Sequence, residues 1–219
     1  MPSPRTTVKR HPERADYDRA TIDAILDEAL ICHVGFVHDA QPYVIPTIHA
    51  RDGETLYLHG SPGSRMLRDL RRGLDVCVTV TILDGLVLAR SVYHHSMNYR
   101  SVVVLGRARE VVEREEKLRA MERVVEHVVP GRWRDARQPT DGEIDGTTIL
   151  AISLVEASAK LRTGGPKDDD GDLALPVWAG VIPLALAPGP PRPDGDARPT
   201  PPYAERYERP PGSATLREG

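Results

Sequence analysis

The 219-residue chain has two cysteines, Cys32 and Cys77. They are too few for a disulfide framework, and no CxxC or Cys/His pair stands at zinc-ligand spacing, so no metal is expected. The run Asp168-Asp169-Asp170-Gly171-Asp172 lacks the spaced ligands and the closing glutamate of a calcium loop and reads as a solvated turn. A net charge of −3 lacks the basic excess that nucleic-acid binding draws on. Residues 1–14 contain no apolar h-region, and no run of about 18 uncharged apolar residues occurs, so neither secretion nor membrane spanning is expected. These absences leave a cytoplasmic protein that works on a small molecule.

The apolar pattern is clear where it exists. Residues 1–16 read as a flexible arm, after which Ile22, Ile25, Leu26 and Leu30 recur at helical spacing and predict a helix over 18–29. Segments 32–38, 43–51 and 55–59 are short and rich in β-formers. They are divided by Asp39-Ala40-Gln41-Pro42 and by Asp52-Gly53, a strong hairpin signal. A helix starting at Ser61 and ending near Gly73 comes next, then strands over 75–83, 86–94 and 99–111 with Asp84-Gly85 as a second turn. Leu118, Met121, Val124, Val125 and Val128 share one face of a helix over 113–129 that Pro130-Gly131 stops, and a last strand covers 148–161. Residues 188–219, dense in proline, predict an extended or disordered tail, which leaves 17–187 as one domain. Short strands with few crossover helices imply a mainly β chain with flanking helices, closed into an antiparallel barrel without exposed edges.

Two stretches carry chemistry. In Leu56-Tyr57-Leu58-His59-Gly60-Ser61-Pro62-Gly63-Ser64-Arg65-Met66 an apolar strand enters a small-residue turn, a helix start with Ser61 as N-cap, and a cation. Free N–H groups, the positive end of the helix and Arg65 together favour a phosphate. In the second stretch, His94-His95-Ser96-Met97-Asn98 leads into Tyr99, Arg100 and Ser101 at the head of an apolar strand. Neighbouring strand residues face opposite ways, so these polar groups cannot all be core.

At these residues the chain resembles the FMN-binding split-barrel proteins related to pyridoxamine 5'-phosphate oxidase, in their nitroimidazole-resistance-like branch. The matching pieces are 43–49, 56–65, 98–108 and 175–183. The resemblance implies a homodimer of six-stranded Greek-key split barrels with two FMN molecules at the subunit interface. It implies that Val44, Ile45, Pro46, Thr47, Ile48 and His49 run along the isoalloxazine edge. It sets His59, Gly60, Ser61, Ser64 and Arg65 at the phosphate end or beside the ring, brings Tyr99, Arg100 and Ser101 to the flavin, and makes Trp178 the aromatic that closes the pocket. Electrons would pass from NAD(P)H to a nitro compound or quinone, with His59 as proton donor. Met66 stands where the oxidases have a lysine, and the C-terminal arginine and histidine set is missing, so pyridoxamine phosphate oxidase activity is not expected. The alternatives are a flavin-binding protein without turnover, a deazaflavin in place of FMN, and a haem-binding split barrel with His59, His94 or His95 as axial ligand.

Overall fold

A computed structural model describes residues 3–195 and 199–208. Its strands are β1 (Ala15–Asp16), β2 (Ile31–His38), β3 (Gln41–Asp52), β4 (Thr55–Gly60), β5 (Asp75–Leu88), β6 (Ser96–Glu110), β7 (Thr148–Ser153), β8 (Ala157–Arg162) and β9 (Gly180–Pro183). The helices are α1 (Arg19–Glu28), α2 (Arg65–Arg71), α3 (Arg114–Val128) and three single-turn pieces, α4 (Arg132–Asp135), α5 (Asp141–Asp145) and α6 (Pro202–Glu205). Every strand pairing is antiparallel. Strands β5, β2, β3, β4, β7 and β6 follow one another, and β6 pairs back onto β5, which closes a six-stranded barrel. The expected mainly β split barrel with flanking helices is therefore what the chain forms. Strand β6 is long enough to serve twice, holding β8 through residues 99–104 and β7 through 108–110. Strands β1 and β9 extend the sheet at its two ends.

Alternation along the strands fills the barrel. Val34, Leu56, Leu58, Val78, Val80, Val102, Val104 and Ile152 point inward and are almost wholly buried. Ile25, Leu26, Leu67 and Leu70 of α1 and α2 join the same core, each contributing about 1.5–3 kcal/mol through burial. A smaller core of Tyr57, Val111, Ile149 and Ala151 faces out of the barrel and is covered by Ala120 of α3.

Several boundaries differ from expectation, each for a physical reason. The turn after β2 is a two-residue hairpin, Asp39-Ala40, with both φ angles positive. Asp84-Gly85 is a bulge inside the continuous strand β5, and Gly85 is required there because a Cβ would meet the Ile182 carbonyl and Val181 at 3.0 Å. Residues 92–94 form a 3-10 turn, and the segment 148–161 divides into β7 and β8. Helix α2 begins at Arg65 with Ser64 as its N-cap, whereas Ser61 closes the preceding turn by accepting from the Ser64 and Gly63 amides.

The two ends are less free than composition suggests. Ser3 and Arg5 bind Glu156, the Val8 amide donates to the Tyr17 hydroxyl, and β1 pairs with β8, which fastens the arm. Tyr203 and Tyr207 donate to the Asp135 carboxylate and to the Val128 carbonyl, so that part of the tail docks on α3 and α4. Residues 196–198 and 209–219 of the expected tail lie outside the described residues. No helix among the described residues is long and apolar enough to cross a membrane.

Candidate functional site

The turn between β4 and α2 faces the first hairpin, and between them lies a cavity of about 240 Å³ lined by Phe36, Tyr43, Ile45, Ser64, Arg65 and Met66. Arg65 rests over the Tyr43 ring with Cζ 5.1 Å from its centroid, and Tyr43 stacks on Phe36 at 5.7 Å. Among the described residues Arg65 forms no ion pair with a carboxylate, so its guanidinium is available to an anion. Gly60 lets the end of β4 approach α2, since a Cβ there would lie 3.1 Å from Leu67 Cδ1. Beside this cavity, residues 41–48 of β3 pair, among the described residues, with β2 alone, because β4 takes over from His49 onward. The other edge of that stretch is bare, and its apolar side chains are bare too: Val44 is 64% and Ile45 38% exposed. Pro46 removes one N–H from this edge, while Thr47 and Ile48 sink to half-buried positions toward the pairing with β4.

A second, larger cavity of about 690 Å³ lies over the outer face of β6 and β8. Its cations are Arg10, Arg14, Lys160, Arg162 and Lys167, contributed by the arm, β8 and the loop behind it. His11, His94 and His95 also line it, together with Tyr93 and Tyr99. Tyr99 pairs across strands with Arg162, and Ser101, whose hydroxyl donates to the Lys160 carbonyl at 3.2 Å, pairs with Lys160.

The sequence-derived set is thus divided. Ser64, Arg65 and Ile45 share the smaller cavity, with Val44 on the adjoining open edge, and Tyr99 belongs to the larger one. Ser61, exposed in the turn before α2, lines neither cavity, and Ser101 lies on the outer face of β6 beside Lys160. Arg100, expected to reach a flavin, is instead consumed by structure. Its guanidinium donates to both oxygens of Asp84 on β5 and both of Glu28 on α1, and these partners hold its pKa above the ordinary arginine value. His49, expected along the ring edge, is fully buried, with Nε2 2.9 Å from the Leu26 carbonyl and its ring 4.9 Å from that of His127. His59 follows Tyr57 by two residues and so shares its outward face, apart from both cavities. Its Nδ1 is buried and has no hydrogen-bond partner among the described residues, and burial pushes its pKa below the usual imidazole range. Trp178 stands 65% exposed, its indole packed against Gly180 at the start of β9. Burial pushes the Cys32 thiol up to about 12, which fits a packing residue. The cluster Arg14, Lys160 and Arg162 escaped sequence reading because it assembles only when β8 pairs with β6 and the arm crosses β8.

A chain closing six antiparallel strands in this order, with an anion-ready turn after its third barrel strand, has the architecture of the split-barrel flavin-binding class. The family model of pyridoxamine 5'-phosphate oxidase matches residues 18–161, and the chain belongs to that family. Among solved structures, the flavocytochrome Anf3 from Azotobacter vinelandii is 42% identical over 93% of this chain and 96% of its own, with a TM-score of 0.87. A FAD and haem binding protein from Mycobacterium smegmatis is 34% identical over 87% of this chain and 95% of its own, with a TM-score of 0.83. A protein assigned to 5-nitroimidazole antibiotic resistance from Bacteroides thetaiotaomicron shares the fold at 24% identity, over 67% of this chain and 85% of its own, with a TM-score of 0.57. No curated protein matches the chain.

Proposed function

We propose that this protein is a dimeric redox protein that holds a flavin and a haem and passes electrons between them. The observation that carries this reading is the similarity over nearly the full chain to a flavocytochrome and to a FAD and haem binding protein, on a fold with two separate cation-lined cavities. The residues present fit the flavin. Arg65, without a carboxylate partner, and Ser64 at the head of α2 would hold its phosphate. The bare edge and apolar side chains of residues 41–48 would receive the ring, and a second subunit would complete the cover. FAD is the proposed form, in place of the FMN of the resemblance, because the relative at 34% identity is a FAD binder.

When bound, the flavin supplies two-electron and one-electron chemistry and the haem one-electron chemistry. The protein's own part is to grip the phosphate, exclude water from the ring and keep the two groups in fixed positions. Reduced nicotinamide is the proposed electron donor. The haem, rather than a nitro compound or quinone, is the proposed first acceptor, since the relative at 34% identity binds both FAD and haem.

The test is an absorption spectrum of the purified protein, with mass analysis of the released chromophores. A flavin band and a Soret band in one preparation, with FAD released, support the reading. A protein that stays colourless after incubation with FAD and haemin overturns it.

A further inference from the structure

We propose that the larger, basic cavity binds a nucleotide with two or more phosphate groups, held by Arg162 at its buried end and stacked on Tyr93 at its mouth. This is a third ligand beside the flavin and the haem. Among the described residues no aliphatic side chain lines the cavity, so neither a macrocycle nor an isoalloxazine finds an apolar wall there. Arg162 carries the argument. It is 8% exposed, and its guanidinium donates to the Asn98 side-chain oxygen and to the Gly164 and Gly165 carbonyls, all of them neutral. Among the described residues it forms no ion pair. Burial and the neighbouring Arg14 push its pKa below the ordinary arginine value, the reverse of Arg100 with its two carboxylates. A buried charge without an opposite charge is expensive, so an anion is the missing component.

The surroundings specify that anion further. Lys160 stands two residues before Arg162 on β8 and shares its face, and the pairing of β1 with β8 brings Arg14 alongside. Arg10 and Lys167 complete a set of five cations, and among the described residues no carboxylate lines the cavity with them. A single phosphate group carries at most two charges, so this set suits a ligand with at least two such groups. Arginine and lysine are also the side chains that pair best with phosphate oxygens.

The rest of the lining favours a nucleotide over an inorganic polyphosphate. The volume of about 690 Å³ exceeds what a simple inorganic anion needs. Tyr93 is 86% exposed, with its ring 5.1 Å from that of His94 and nearly perpendicular to it, so the tyrosine is largely open to solvent. A free aromatic ring beside phosphate-binding cations is the arrangement that stacks a base. A base held by one face keeps its polar edges hydrated and needs no apolar enclosure. The reduced nicotinamide donor proposed above and a free adenine nucleotide both present this chemistry.

The experiment titrates the purified full-length protein, with the chromophores it carries, by calorimetry with ADP, NADP+, inorganic pyrophosphate and adenosine. ADP or NADP+ should bind and adenosine should not, and the tighter of the two nucleotides names the source. Arg162→Gln and the more exposed pair Arg14→Ala with Lys167→Ala should each weaken nucleotide and pyrophosphate binding by roughly tenfold or more, with chromophore content unchanged. Tyr93→Ala should weaken nucleotide binding by roughly tenfold and leave pyrophosphate binding as it is. Should Arg162→Gln misfold, the double variant and Tyr93→Ala carry the test. A wild type that binds neither ADP nor NADP+ overturns the proposal, and a double variant that also loses flavin would then place the FAD diphosphate in this cavity. Nucleotide affinity unchanged in the double variant overturns it too. So does pyrophosphate binding as tight as that of ADP with no effect of Tyr93→Ala, because the cavity would then recognise phosphate charge without a base. The flavin and Soret bands that test the proposed function are read separately, so each of these failures leaves that reading standing.

Discussion

Arg65 and Arg100 have the same chemistry and opposite settings. Arg65 lies over an aromatic ring without a carboxylate, whereas Arg100 is saturated by two. For a cation that grips a phosphate, Arg65→Ala should remove a charge-assisted contact of about 1.5–3 kcal/mol, weakening flavin binding about ten- to a hundredfold by fluorescence titration. Unchanged affinity would remove the smaller cavity from the flavin site. His59 gives a pH prediction. Its folded-state pKa lies below the unfolded one, so the folded chain binds the proton less readily. The related stability is complete above the unfolded value of about 6.5 and declines as pH falls through it. The thermal midpoint should therefore drop on acidification, and His59→Gln should drop less across the same interval. Equal drops in the two proteins would mean that the buried Nδ1 has no energetic consequence.

At the scale of elements, the triad of Glu28, Arg100 and Asp84 ties α1 to β5 and β6 at one end of the barrel. Arg100→Ala leaves two carboxylates facing each other with little solvent, and urea denaturation should show a loss of about 3–5 kcal/mol. A loss below about 1 kcal/mol would place the triad among solvated surface pairs. Legibility from sequence follows the range of the interaction that decides each feature. Helix α1 and strands β2 to β4 were readable because Ile22, Ile25 and Leu26, and then the short β-rich runs, respond to local periodicity. Asp84-Gly85 misleads because its local chemistry is that of a hairpin, while its need for glycine comes from β9, about a hundred residues onward along the chain. The role of Arg100 was hidden for the same reason: neither Glu28 nor Asp84 is near it in sequence. Ser61 and Ser64 are both good caps, and packing of Leu67 and Leu70 into the barrel core selects the later one.

For the whole molecule, the decisive fact is an unfinished surface. A closed barrel normally hides its edges, yet residues 41–48 of β3 present a bare edge with Val44 and Ile45 exposed, and Val37 nearby on β2 is 54% exposed. Such an edge invites either a ligand or a second chain, and the proposed dimer places both there. Replacing Val44 and Ile45 together by glutamate leaves every backbone pairing of β3 intact but puts two like charges where a subunit would be buried. Neither side chain is part of the barrel core, so the monomer should fold with an unchanged far-ultraviolet spectrum. We expect the double variant to sediment at the monomer mass and to release flavin on dialysis, while the wild type sediments at twice that mass and stays coloured. Sedimentation as a dimer with full flavin content would show that the subunits meet elsewhere, and the exposed Trp178 beside Gly180 would then be the next surface to charge.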